Sequence, residues 1–149
     1  MSVHRAGQIV DAVAELLTAR VSSTIKVFKH RRLSLADDQG ELPAISVDFG
    51  EDPPAADQPL HGINSVLNVV ITGVAVAPTE DELREKLLVM RESSDDLMDE
   101  HMHQIQPRLG LTFVYGIGYG GAAAPDINAD DESIVGSLAS NWNVGYRMR

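Results

Sequence analysis

The sequence predicts an α+β domain: a mostly antiparallel sheet of about five strands with two helices packed on one face, in the order α-β-β-β-α-β-β. Three observations predict it. Apolar residues recur every three or four positions in two segments, Ala6 to Leu17 and Leu83 to Ile105. The last forty residues alternate apolar side chains with polar or bare ones. The whole chain has 149 residues, 44% of them apolar, which suits one buried core and is too short for two ordinary domains. We therefore read residues 1–149 as a single domain.

In the first helix Ala6, Ile9, Val10, Val13, Leu16 and Leu17 form one stripe, with Ser2 placed to cap the start and Ser22-Ser23 to end it. Thr24 to Arg31 is rich in β-formers, and a polar turn follows at Asp37 to Gly40. Ile45, Val47 and Phe49 then alternate with Ser46 and Asp48, as in a half-buried strand. Residues 50–62 hold three prolines and no apolar period, and are read as a long surface loop. Ser65 to Val76 is the most strand-like run. Leu67, Val69 and Ile71 share one face and Val66, Val70, Val74 and Val76 the other, so both faces are expected to be covered.

Thr79 and Glu82 have capping-box spacing, and three acids in the first turn suit a helix N-terminus. Leu83, Leu87, Met90, Ser94, Leu97 and His101 trace the apolar stripe of this second helix. Ser93-Ser94-Asp95 is a potential kink, and Pro107 a stop. Leu111, Phe113, Tyr115, Ile117 and Tyr119 are read as one face of a strand. Ile134, Leu138, Trp142, Val144, Tyr146 and Met148 are read as one face of its hairpin partner. Between them, AAAPDINADDES carries four acids and no base and is expected to be a solvated tip.

Charge and composition exclude several classes. Twenty-two acids against twelve bases give a net charge of −10, the wrong sign for a dedicated duplex-binding protein. Cysteine is absent, which removes disulfides and thiolate metal sites. No apolar run reaches the ~18 residues of a membrane-spanning helix, and Asp11 and Glu15 near the start are unlike a signal peptide. The charge is also segregated. Residues 1–33 hold six bases and two acids, net +4, whereas the remainder is net −14. Such a molecule can associate head to tail with copies of itself.

Motifs for chemistry are weak. Gly116 to Gly121 spells G-x-G-x-x-G but lies inside an alternating strand and opens no helix, so a dinucleotide site is not expected. Gly116, Gly118 and Gly120 are better read as baring one strand face for close approach of another subunit. His101 and His103 point to different sides of a helix, and His101 reads as a satisfied interior histidine. Asp95-Asp96 and Asp130-Asp131 lack a nearby nucleophile or base. We expect no catalytic residue, no metal and no cofactor.

The order of elements and several short segments resemble a known family. These are Arg5, Ile9 and Asp11-Ala12-Val13 in the first helix, Leu42-Pro43-Ala44-Ile45-Ser46-Val47, Leu67-Asn-Val-Val-Ile71, Glu82-Leu83, and Trp142-Asn-Val-Gly-Tyr146. The pattern is similar to the tail terminator (tail completion) proteins of long, non-contractile-tailed phages of the lambda type. The second helix is longer than in that pattern, and Gly116 to Gly121 richer in glycine. The resemblance implies a non-enzymatic virion protein that is assembled in the host cytoplasm and sits at the head–tail junction. A homohexameric ring would cap the tail tube protein, stop its polymerisation and offer its other face to the head–tail connector protein. Genomic DNA would pass through the lumen without specific binding, and no membrane is involved. Subunit contacts are expected at Val66, Val70, Val74, Val76, Arg31, Arg32, Gly116, Gly118 and Gly120. Tube or connector contacts are expected from the loop residues Glu51, Asp52, Asp57 and His61 and from Asp126, Asp130, Asp131 and Glu132. The alternatives are a neck or connector-completion protein, a tube subunit of related fold, or a small acidic ligand-binding module or enzyme.

Overall fold

A computed structural model describes residues 4–29, 43–50, 64–103, 108–129 and 134–147. The 37–40 turn, Pro107 and nearly all of the 50–62 loop lie outside these residues, and the first helix has its N-cap at His4, with no side-chain cap, rather than at Ser2 as expected. The order of elements is α1 (Arg5–Arg20), β1 (Lys26–Lys29), β2 (Ala44–Phe49), β3 (Asn64–Ala77), α2 (Glu80–Met102), β4 (Val114–Ala122), β5 (Asp126–Ala129) and β6 (Ile134–Arg147).

Both helices bury the stripes their sequences set out. Helix α1 buries Ile9, Val10, Val13, Ala14 and Leu17, and its last turn closes with the Val21 amide donating to the Leu17 carbonyl at 2.9 Å. In α2 the Thr79 hydroxyl accepts from the Glu82 amide at 3.3 Å, so the predicted cap is made. Its buried residues are Leu83, Leu87, Met90, Ser94, Leu97, Met98 and His101. The helix does not break at the serine pair. Ser93 and Ser94 donate their hydroxyls to the Val89 and Met90 carbonyls one turn back, each at 3.2 Å, which satisfies both without leaving the helix.

The sheet runs β1-β2-β3-β6-β4, with β5 also paired to β6. All pairs are antiparallel except β1 with β2. Its spine is the β3–β6 ladder, fourteen consecutive pairs from Asn64↔Arg147 to Ala77↔Ile134. Register then sorts the side chains. Leu67, Val69 and Ile71 of β3 and Leu138, Trp142 and Val144 of β6 lie with both helices in one core cluster. Helix α2 sits so close that a Cβ added to Gly73 would come within 3.3 Å of Met90.

Two expectations are corrected. The segment read as a solvated tip contains β5, whose four residues pair with Ile134 to Ser137. The face assigned to Leu111, Phe113, Tyr115, Ile117 and Tyr119 is not one face. Register shifts at Tyr115, so that Val114 and Ile117 are both buried while Tyr115 between them is exposed; Ile117 and Tyr119 do share a face, where Tyr119 packs on Trp142 and stays half exposed, and a second shift follows at Gly120. Each shift inserts one unpaired residue, and one inserted residue reverses the side to which everything after it points.

Candidate functional site

Among the described residues the two edges of the sheet differ. At one edge, the short strand β1 carries Lys26 and Lys29, both exposed; Lys29 reaches Asp11 of α1 at 3.2 Å. At the other lies β4, with nine residues and four glycines. A Cβ added at Gly116 or Gly118 would meet nothing within 4 Å, whereas at Gly120 it would crowd the Asn141 carbonyl at 3.1 Å. Gly116 and Gly118 therefore leave open space beside the strand, while Gly120 is needed by the bulge itself. Tyr115 folds over Gly145, where an added Cβ would stand 2.7 Å from its ring.

The sheet face away from the helices is partly closed. Val74 is 1% exposed and Ala44, Ser46 and Val135 are buried as well, so Val74 offers a second subunit no surface. Val66, Val70 and Val76 are half-buried. Between them Asn68 donates its side-chain amide to Asn143 at 3.3 Å. Val76 also borders a groove of about 550 Å³ with Ile25, Val89 and Met90, and its carbonyl accepts from the Lys86 ammonium at 3.1 Å.

Of the predicted contact loops, only Asp126 is described, exposed on β5 opposite Ser137. Arg31, Arg32, Glu51, Asp52, Asp57, His61, Asp130, Asp131 and Glu132 lie outside the described residues. His101 is the interior histidine its position implied: its Nδ1 accepts from the Leu109 amide at 3.0 Å. That bond anchors the turn after α2, where Leu109 and Gly110 take left-handed backbone angles of 55° and 71°. His103 faces outward and meets Asp99 at 3.3 Å.

Helix α2 carries nine acids against three bases. Two of its carboxylates have shifted proton affinity. Hydrogen bonding from Arg20 of α1, and then its charge, hold Glu100 below the usual carboxylate range. Burial pushes Asp95 up, against the opposing pull of Arg91. Arg91 donates from Nε to Asp95 Oδ2 at 3.2 Å and from Nη2 to the Tyr119 hydroxyl at 3.0 Å. Sequence reasoning gave Asp95-Asp96 no nearby nucleophile or base and missed this cluster. The available signal was Arg91 four residues before Asp95, an ion-pair spacing on one helix face; Tyr119 joins only through the β4 register.

No family model matches this chain, and no curated protein matches it. Among solved structures it is similar to a chain from the virion of a native gene transfer agent particle, 13% identical, covering 95% of each chain at a TM-score of 0.46. That likeness is too slight to carry a functional argument.

Proposed function

We propose that the protein is a non-enzymatic virion assembly protein. It forms a homohexameric ring that caps a phage tail tube, stops its growth and offers the joining surface for the head connector. The observation that carries this reading is the unlike chemistry of the two sheet edges: basic and short at β1, long, glycine-opened and flanked by acids at β4. Unlike edges on one molecule favour heterologous contacts, which close into rings when the rotation per subunit divides a full turn. The sequence resemblance set out above supplies the ring's place in the virion. A ring of such subunits carries a large negative charge, which repels phosphates and lets DNA slide through.

The test is the size and shape of the purified protein. Sedimentation and negative-stain imaging should give one discrete annular species with a central hole. Open-ended tubes would favour a tube subunit instead, and a single chain at high concentration would remove the ring. Added to purified tubes, the ring should arrest their elongation at one end.

A further inference from the structure

The six described arginines divide into two sets. Arg20, Arg84 and Arg91 each meet a carboxylate, of Glu100, Glu80 and Asp95 in turn. Arg5, Arg108 and Arg147 meet none among the described residues, and all three gather on the short run Leu111 to Tyr115 at one end of the sheet. Arg5 lays its guanidinium over the Phe113 ring, 4.8 Å from the centroid, and donates from Nη1 to the Arg147 carbonyl at 2.6 Å. The Arg147 amide donates in turn to the Phe113 carbonyl at 2.8 Å, and the residue is exposed. Arg108 bridges to Leu111 and donates from Nη1 to the Tyr115 carbonyl at 2.8 Å. A carbonyl satisfies a donor but leaves the positive charge uncompensated, so three like charges are held at one end of a chain whose net charge is −10. The start of α1, with no acid in its first turn, adds the positive end of a helix dipole.

This end attracts anions, and the chain itself carries a matching set of carboxylates. Asp81, Glu85, Glu92 and Asp96 are exposed on α2, and none is ion-paired among the described residues. Spacings of four, seven and four put them on one line opposite the buried stripe, a ridge about 22 Å long. Within the chain neither set neutralises the other. An approaching DNA duplex would meet the same ridge and the whole negative charge of the chain, which favours a carboxylate surface over a phosphate one. We infer that the arginine end of one copy docks on the acidic α2 ridge of a second copy. The inference rests on the self-association proposed above and names a contact within it. End and ridge are different surfaces, so the contact is heterologous and repeats from subunit to subunit.

Two charge reversals and their mixture test it by sedimentation. Arg108→Glu with Arg147→Glu, and separately Glu85→Lys with Glu92→Lys, should each weaken self-association tenfold or more with melting little changed. The ridge variant also lowers the net negative charge, so its loss of association cannot come from general repulsion. Mixed in equal amounts, the two variants should associate again to near wild-type strength, each supplying the sign the other lacks. If Arg108→Glu fails to fold, Arg147→Glu takes its place, since the Arg147 side chain holds no hydrogen bond among the described residues. A variant that associates like the wild type, or a mixture that stays apart, overturns the inference and leaves the ring standing. A short DNA duplex that binds the wild type, and is lost in the arginine variant while self-association holds, assigns the end to phosphate and overturns it as well. A wild-type protein that never associates removes the ring and the inference together.

Discussion

Strand β3 is aliphatic on both sides, yet its two faces meet different ends. Toward the helices, Leu67, Val69 and Ile71 are buried in one continuous core. Away from them, Val74 is sealed within the chain while Val66 and Val70 keep part of their surface. The difference shows that apolar character marks a need for cover without saying who supplies it. On the helix side this chain supplies it throughout. On the other side it does so fully only around Val74, and Val66, Val70 and Val76 are the part that a partner would cover in the proposed ring.

The sharpest way to break that division is a carboxylate on each part of the outer face. Val74→Asp should unfold or severely destabilise the single chain, by about 3 kcal/mol or more, since it buries an unpaired charge. Denaturant melting measures it, and a mild effect would mean that Val74 is open after all. On the helix side Leu97→Ala should cost about 2–5 kcal/mol with no separate effect on assembly; the two are read by melting and by sedimentation. Gly145→Ala should cost about 1–3 kcal/mol by pushing the Tyr115 ring off the sheet. Adding Tyr115→Ala should recover most of that loss, a double-mutant result expected only if the ring lies over Gly145 as described. Val70→Asp should shift stability by only about 1 kcal/mol while weakening self-association, and unchanged sedimentation would take that end of the strand out of the interface.

The smallest effect concerns pH and the join between the helices. Glu100 has a folded pKa below its ordinary value of 4.5, because Arg20 bonds and attracts its ionised form. Its contribution is therefore present above the ordinary value and lost as pH falls through the lower, folded one. Arg20→Gln should thus lower the melting temperature slightly at pH 7 and make no difference at strongly acid pH. The pair is exposed, which keeps the effect small.

Much of this fold could be read from the residues in order. The α2 stripe, its Thr79 cap and the alternation of Leu138, Trp142 and Val144 each depend on a local period that nothing in the tertiary structure disturbs. The Leu111 to Tyr119 face was misread because period-two reasoning assumes an unbroken register, and the bulge at Tyr115 breaks it within that run. β5 was missed because Asp126 to Ala129 has no pattern of its own and becomes a strand only by pairing with β6. The parallel pairing of β1 with β2 was equally illegible, being a fact of chain path rather than composition. The cluster of Arg91, Asp95 and Tyr119 depends on the β4 register, and no spacing rule links Asp95 to Tyr119 on another element.

The unbroken β3–β6 ladder also has a mechanical meaning. Force drawn along two long antiparallel strands loads their fourteen pairings at once, whereas the twice-interrupted seam between β4 and β6 can open one bond after another. Under tension the molecule should behave as a rigid girder with a hinged flap on one flank. Fluctuations, early amide exchange and first yielding would then gather at that flank, leaving the girder intact.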